Sequence, residues 1–340
     1  MIHAQPIEFL EISMLQVGVV NFICNDFTRV CVPLFFAISG FLLFAGLNDY
    51  TGEVYLRKLR SRIRSILIPY LIWNAVVFVL FTTKTILTQG FSTSYIIDNI
   101  IKAFIGKFPG GDSSIFEPYN VPFDFPLWFI RNLFVYILIS PVFYWIIKRI
   151  GKIFIVVCCL IFILGQWPKV IFLNINGIVF FSIGAYLAIH KLDPAEIINK
   201  HESFFKMLVP IYFVLVILDA ISFVLWGNLY FYFHSAQIFI GFFVIYYLFQ
   251  LFSYRHPSYK PLISGEAVFA LYLIHGIVDN YLSKLESSFG SFGVMSNLSF
   301  FLFDFIGMIV ISLAIYRLIK NLSPSVAAVV FGGRYDRFVG

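Results

Sequence analysis

The sequence predicts an all-α integral membrane protein, a polytopic bundle of about nine membrane-spanning helices. Apolar residues make up 60% of the 340-residue chain and charged residues only 12%, and the mean hydropathy is +0.89. Soluble domains are roughly 45–50% apolar and about 25% charged, so this chain has too few polar side chains to cover a surface in water. Its 43 Phe, 19 Tyr and 5 Trp suit lipid-facing packing and interfacial belts.

Nine apolar runs approach the length at which a helix crosses about 30 Å of hydrocarbon. They lie at 30–47, 66–86, 127–147, 153–168, 171–189, 207–226, 230–252, 265–283 and 298–319. No internal repeat, low-complexity tract or soluble segment interrupts this series. We therefore expect a single domain over residues 1–340, with the long connection 87–126 as a loop within it.

The basic residues indicate how these spans are oriented. They concentrate in every second connection, beginning with the run RKLRSRIR (Arg57 to Arg64), and they recur after the last span. The intervening connections carry few charges, and in 87–126 the two signs nearly balance. By the positive-inside rule the C-terminus is cytoplasmic and the loop 87–126 lies outside.

This orientation leaves residues 1–28 outside the membrane, although no preceding span carries them across. Segment 9–23 has apolar patches broken by polar residues and is typical of an interfacial helix rather than a span. One hypothesis is a further helix upstream in the full-length parent; the alternative is a nine-span protein whose N-terminal tail is translocated.

Four strings in the chain resemble the acyltransferase-3 family of bacterial membrane acyltransferases. They are VPLFFAISGFLLF (Val32 to Phe44), YLRKLRSRIRSILIPYLIW (Tyr55 to Trp73), PLWFIRNLFVYILISP (Pro126 to Pro141) and ALYLIHGIVDNYL (Ala270 to Leu282). The resemblance implies a ten-helix core, most of whose first helix is absent here, in the bacterial cytoplasmic membrane. It also implies O-acyl transfer, in the first place of acetyl, from cytoplasmic acyl-CoA to a hydroxyl of a cell-surface or exported carbohydrate.

The same resemblance implies roles for four residues. His3 falls where the family has a histidine near the outer end of its first helix, and would be the catalytic base, a task for which the imidazole pKa is suited. Arg57, Arg60 and Arg64 would bind the phosphates of acyl-CoA. The spacing of Arg57 and Arg60 allows one helical face, on which two guanidinium groups clamp phosphate bidentately. The alternative is that the basic run Arg57 to Arg64 only sets the orientation of the helices and contacts anionic lipid.

Ionisable side chains inside the spans are functional candidates, because they are costly in lipid. The predicted topology places all of them in the outer half of the membrane: Arg131, Asp219, His234, His275, Asp279 and Asp304. His275 and Asp279 are four residues apart on one helix, so the carboxylate is placed to orient the imidazole. The pattern predicts a polar cavity open to the outside. Structural pairing or snorkelling is the alternative, and we favour it for Asp219 and Asp304.

Two further residues complete the predicted cavity, which comprises Ser39, Trp128, Arg131, His275 and Asp279. The resemblance places Ser39 beside the path of acyl transfer, although no base in its sequence neighbourhood supports it as a nucleophile, and close packing of small residues is the alternative. Trp128 lines the site by the same resemblance, or is an ordinary interfacial aromatic residue.

The expected partners are membrane lipids, acyl-CoA as the donor substrate and a carbohydrate acceptor. Nucleic acid is not expected, since the net charge of +6 lies in loops that set orientation. We expect no bound cofactor and no metal, because the four cysteines have no metal-ligand spacing. Direct transfer and a covalent acyl-histidine both stay open. The competing functions are a transporter or flippase for a glycan or small anion, and a non-catalytic membrane partner.

Overall fold

The computed structural model describes residues 28–105, 122–165, 172–225, 230–288 and 293–333. These ranges are helical with short connections and contain no strand, so the all-α prediction is confirmed. The helices are α1 (Cys31–Phe44), α2 (Gly52–Arg62), α3 (Ile68–Gln89), α4 (Thr93–Ile105), α5 (Trp128–Leu138), α6 (Ser140–Leu164), α7 (Ile175–Ile189), α8 (Pro194–Lys200), α9 (Glu202–Leu225), α10 (Tyr230–Arg255), α11 (Gly265–Ser288), α12 (Gly293–Leu322) and α13 (Pro324–Val330).

Within the described ranges, four helical stretches are long and apolar enough to cross a membrane by themselves. They are Gly52–Gln89, Glu202–Ser222, Tyr230–Arg255 and Leu302–Leu322. A fifth is added if α7 and α8, which meet at 94°, form one bent span, and α1 and α5 are shorter apolar helices. The protein is thus a multi-pass membrane bundle. Helices occupy all nine predicted positions, but the number of passes stays a prediction.

The described residues group into two compact units. Unit 1 takes residues up to Tyr55, then from Tyr136 to 165 and from Leu173 to Pro261. Unit 2 takes residues from Leu56 to Val135, Phe172, and the described residues after Pro261. Both unit boundaries at 55/56 and 135/136 fall inside a helix.

Unit 1 is built on the crossing of α1 and α7, where two glycines let the backbones touch. A Cβ on Gly40 would lie 2.1 Å from the carbonyl oxygen of Phe181, and one on Gly184 would lie 1.9 Å from that of Ala37. Such contact between small residues is how membrane helices associate closely. The glycine beside Ser39 is therefore a packing residue.

A reversal of the chain inside α6 replaces the loop expected between the third and fourth spans. Ile150 has non-helical torsions, φ −132° and ψ 27°. The ring of Phe143 contacts Phe181 at 5.2 Å, and the ring of Phe162 contacts the adjacent Phe180 at 5.8 Å. In a straight helix two residues 19 positions apart lie about 28 Å from each other. The chain therefore runs along α7, turns at Ile150 and returns.

The basic run between the first two spans is helical rather than a loop. The α2 helix continues through a π-helical turn, Ile63–Leu67, directly into α3. The wider turn inserts an extra residue, so side chains beyond it are rotated relative to those of α2. Turns of this type are rare and are frequent at functional sites.

Residues 323–333, which we call the C-terminal strap, fold back against unit 2. Phe331 is 1% exposed; its ring stacks on Trp73 at 5.9 Å and meets Tyr316 edge-on at 5.3 Å. The indole Nε1–H of Trp73 donates to the carbonyl oxygen of Val330 at 3.2 Å. The strap thus closes one end of unit 2 with aromatic packing and one hydrogen bond.

Replacing Gly184 by alanine should destabilise unit 1, because the added methyl group overlaps the backbone of α1. Overpacking of this kind costs about 1–3 kcal/mol. We expect a lower apparent Tm in detergent, measured by the loss of monodisperse protein after heating. The matched control is Gly52→Ala, whose methyl group meets nothing within 4 Å. Equal melting of the two variants would contradict the crossing.

Replacing Phe331 by alanine should loosen the strap, because a buried aromatic side chain is removed from between two rings. Truncation of a buried Phe costs about 3–5 kcal/mol. The Phe303→Ala variant is the control, since that side chain is 52% exposed on α12. The same melting assay should show a clear loss for Phe331→Ala and little change for the control; the opposite order would rule out a stabilising role for the strap.

Candidate functional site

Unit 2 contains a buried polar cluster at the start of α5. Asp124 is 3% exposed and immediately precedes the short 3-10 turn Phe125–Leu127. Its backbone N–H donates to Oδ1 of Asn74 at 3.4 Å, and Nδ2 of Asn74 donates to the carbonyl oxygen of Tyr70 at 2.9 Å. Both ends of the fully buried Asn74 amide are therefore satisfied. Asn74 ties the backbone of Asp124 to α3.

The α11 helix holds the same segment from a second side. The hydroxyl of Tyr272 donates to the carbonyl oxygen of Pro126 at 2.5 Å, and the Tyr272 ring meets Phe129 edge-on at 6.1 Å. A Cβ on Gly276 would lie 2.6 Å from Oδ1 of Asp124 and 2.8 Å from the Pro126 ring. Only glycine leaves room for the carboxyl group there. Residues 122–127 are thus fixed between α3 and α11.

No local hydrogen bond explains why the carboxyl group of Asp124 is buried. Aspartate commonly caps the helix that it precedes, yet Asp124 makes no capping bond to the turn after it. Its Oδ2 atom is buried and has no hydrogen-bond partner within the described part of the chain. Burial raises the pKa of this carboxyl to about 8, because removal from water disfavours the charged form. The group is therefore held in place, and its uncharged acid form predominates at neutral pH.

The described part of the predicted outer loop is ordered against α3. The Tyr70 hydroxyl donates to the carbonyl oxygen of Phe104 in α4, and the N–H of Phe123 donates to that of Ala103 at 3.1 Å. The Phe123 ring contacts two further Phe rings of α3, at 6.1 and 6.2 Å. The helix α4 and the Asp124 segment therefore pack together along the side of α3, between Tyr70 and Phe81.

His275 stands on α11 next to the glycine that accommodates Asp124. Its Nδ1 lies 2.6 Å from the carbonyl oxygen of Tyr272. A carbonyl oxygen only accepts, so Nδ1 carries a hydrogen in this contact. The predicted orientation of His275 by Asp279 stays a prediction.

Arg131 is also buried in unit 2, one helical turn after the half-buried Trp128. Its Nε and Nη2 donate to Oδ1 of Asn132 at 3.2 and 3.1 Å. Its guanidinium carbon lies 4.8 Å from the centre of the Phe172 ring, a cation–π geometry. Phe172 has a positive φ of 68°, which is strained for a bulky residue, and such strain clusters at functional sites.

Two further pairs of ionisable side chains lie within the helices. In unit 2 the side chain of Asp304 lies within hydrogen-bonding reach of that of Asp279. In unit 1 Nδ1 of His234 lies 2.9 Å from Oδ2 of the fully buried Asp219, and Tyr230 stacks on the imidazole at 5.1 Å. Asp219 and Asp304 are thus paired, in line with the structural alternative.

The predicted donor-binding arginines lie nearer the start of the continuous helix formed by α2, the π-helical turn and α3, which we call the α2–α3 rod. Arg57, Arg60 and Arg64 are all exposed. Asn74 follows Arg64 by ten residues, so the polar cluster lies about 15 Å along the helix axis from the end of the basic run. Unit 2 therefore combines an exposed cationic end and a buried polar cluster on one continuous helix.

The predicted roles of all these residues stay predictions, and two of the residues lie apart from the described cluster or outside the described ranges. Ser39 is half-buried on α1 in unit 1, and His3 lies outside the described residues. Among the side chains that the structure describes, no group of three or more His, Cys, Asp or Glu residues is arranged to hold a metal ion.

The sequence analysis missed Asn74, Asp124 and Tyr272 as site residues. It considered ionisable groups inside spans and so passed over Asn74, a neutral amide in an otherwise apolar run. Asp124 entered only as one charge of the outer loop, although it stands two residues before an apolar helix. That position was the available signal, because a charge so near the hydrocarbon needs a reason.

Comparison with known proteins identifies the family. The family model of the acyltransferase-3 acyltransferase domain matches residues 2–317. A segment of 173 residues is 31% identical to the succinoglycan biosynthesis protein ExoH of Rhizobium meliloti, and it covers 51% of this chain and 44% of that protein. The match thus spans less than half the length of this relative. No solved structure matches the chain significantly. Because the family model covers most of its length, the chain belongs to the acyltransferase-3 family of acyltransferases.

Proposed function

We propose that the protein is a membrane O-acyltransferase that moves an acyl group, in the first place acetyl, from cytoplasmic acyl-CoA to a hydroxyl of a cell-surface or exported carbohydrate. Family membership over residues 2–317 is the observation that carries the reaction class. The relative ExoH is named for succinoglycan biosynthesis, and this link to a glycan favours a carbohydrate acceptor.

The basic end of the α2–α3 rod is our candidate for binding acyl-CoA. Arg57 and Arg60 are exposed, and their spacing of three residues in α2 places them on neighbouring positions of one face. Guanidinium groups bind phosphate bidentately and keep their charge at all working pH values. Arg64 lies within the π-helical turn that follows. The acyl-bearing arm of the donor would then extend along α3 toward the polar cluster.

In the proposed reaction the acceptor O–H bond breaks, the oxygen bonds to the thioester carbonyl carbon, and the carbon–sulfur bond breaks. His3 takes the hydroxyl proton as general base, in accordance with the family resemblance. The departing CoA thiolate takes up a proton in turn. The overall products are an ester on the carbohydrate and free CoA.

A transporter or flippase is the second candidate. The buried pairs Asp219–His234 and Asp279–Asp304 are the kind of intramembrane groups that relay protons or contact ions in transport. The family match favours the enzyme over this reading. Transfer of labelled acetyl to glycan separates the two, because a transporter moves its cargo without consuming acetyl-CoA.

Removing the charge of both candidate donor-binding residues, in Arg57→Gln/Arg60→Gln, should raise the KM for acetyl-CoA. Hydrogen bonds to charged groups contribute about 1.5–3 kcal/mol each, so we expect an increase of about tenfold or more. The assay is transfer of radiolabelled acetyl from acetyl-CoA to surface glycan in membranes.

The matched control is Arg149→Gln, which removes a basic side chain from another connection, where the guanidinium lies over Trp145. An unchanged KM in the double variant would remove the arginines from the donor site. If the wild type is expressed normally but consumes no acetyl-CoA, the transporter is favoured instead.

The proposed orientation predicts which side of the membrane two engineered cysteines face. In a variant without the four native cysteines, Ser94→Cys on the exposed surface of α4 should react with an impermeant maleimide in intact cells. Lys200→Cys, exposed at the end of α8, should react only after the inner membrane is permeabilised. The reverse pattern would place the C-terminus outside and exclude a cytoplasmic donor site at Arg57.

A further inference from the structure

We propose that Asp124 is an acceptor-binding residue of unit 2, and that its Oδ2 atom accepts a hydrogen bond from a hydroxyl of the carbohydrate that receives the acyl group. This inference rests on the proposed function, and it deepens it by assigning a residue to the carbohydrate. It starts from the buried Oδ2 atom, which has no hydrogen-bond partner among the residues that the structure describes.

A buried carboxyl oxygen without a hydrogen bond is costly, and folded proteins rarely retain one without a use. Asp124 is 3% exposed, so bulk water does not compensate for the missing bond. Nor does the residue cap the turn that follows it, although its position would allow this. The carboxyl group therefore does not form the capping hydrogen bond that residues in this position commonly make.

The surrounding structure holds this carboxyl group in one place before any ligand arrives. Asn74 binds the backbone N–H of Asp124, and Tyr272 binds the carbonyl oxygen two residues later. The missing side chain of Gly276 supplies the room in which Oδ1 lies. Groups fixed in advance bind a ligand with little further loss of conformational freedom. The arrangement is that of a built binding group rather than a mobile surface acid.

The environment favours a neutral ligand rich in hydroxyl groups over a cation. Burial raises the pKa of the Asp124 carboxyl to about 8, so the uncharged acid and the carboxylate are both populated near that pH. A sugar hydroxyl can donate to the carboxylate or accept from the acid. Phe123 precedes Asp124 in the chain, and Tyr272, whose ring meets Phe129 edge-on at 6.1 Å, contacts the same segment through its hydroxyl group. Aromatic side chains beside a few polar groups are typical of small-ligand sites.

The first test compares Asp124→Asn with wild type in acetyl transfer. The acceptor is surface glycan extracted from a deletion strain of the source organism and treated with mild base to remove esters. We expect the KM for glycan to rise about tenfold to a hundredfold, as for loss of a hydrogen bond to a charged group, while the KM for acetyl-CoA stays unchanged. The matched control is Asp98→Asn, which neutralises an exposed acid of α4 and should behave as wild type.

The pH dependence distinguishes a binding role from a structural one. The pKa of Asp124 is raised, so the ionised fraction increases as the pH rises through about 8. The carboxylate is the stronger hydrogen-bond acceptor. The wild-type KM for glycan should therefore fall between about pH 6.5 and about pH 9.5, and this fall should be absent in Asp124→Asn.

A second measurement uses only the wild-type protein, so it does not depend on the folding of a variant. Dicyclohexylcarbodiimide adds to a protonated carboxyl group in an apolar site to give a stable N-acylurea, which mass spectrometry locates on the Asp124 peptide. The base-treated glycan should protect Asp124 from this addition in a concentration-dependent way. Acetyl-CoA alone should give no such protection.

The outcomes separate the inference from the proposed function. If wild type transfers label but Asp124→Asn has the wild-type KM for glycan, or saturating glycan leaves carbodiimide labelling unchanged, the role of Asp124 is overturned and the acyltransferase stands. If wild type transfers no label to glycan at all, the proposed function fails and the inference fails with it. A selective rise in the glycan KM together with protection supports both.

Discussion

The polar site of unit 2 depends on two hydrogen bonds that fix residues 122–127 between α3 and α11. One runs from the Asp124 N–H to Asn74, the other from the Tyr272 hydroxyl to the Pro126 carbonyl oxygen. In a low-dielectric interior such bonds are electrostatically strong. Without them these backbone groups would be buried and unpaired, which is costly. The close approach at Gly276 follows from them. The position of the Asp124 carboxyl is thus a product of backbone tethering and not of its own side-chain bonds.

Ionisable groups inside lipid-embedded helices are costly unless they are paired, and each unit contains such a pair. Asp219 finds His234 on the neighbouring helix, and Asp304 finds Asp279. Each of these carboxyl groups lowers its desolvation cost by pairing. Asp219, Asp279 and Asp304 each still leave Oδ1 buried without a hydrogen bond in the described part of the chain, so an unpartnered oxygen alone does not set Asp124 apart. Asp124 differs because its carboxyl group is paired with no side chain among the described residues.

The sequence predicted the helical class and the helix at each of the nine positions, because apolar composition and length are local properties. It could not predict the reversal at Ile150 without a loop, since a single residue with non-helical torsions leaves no trace in hydropathy. The Asn74–Asp124 hydrogen bond joins residues 50 positions apart. The periodicity of a single helix cannot predict a contact between two segments so far apart in sequence. The basic run was expected as a connection between spans, and only the spacing of Arg57 and Arg60 indicated its helical form. The π-helical turn after it depends on packing that the residues alone do not specify.

The C-terminal strap has a consequence for how the molecule is made. The Trp73 indole and its partner at Val330 are separated by 257 residues, and at about 5–20 residues per second the ribosome needs roughly 13–50 s to synthesise that interval. Throughout that time α3 is already made while its last partner does not exist. Unit 2 therefore completes its packing only after the strap itself has been synthesised. A chain that stopped before Val330 would leave the Trp73 indole without its hydrogen-bond acceptor and without the Phe331 ring that stacks on it.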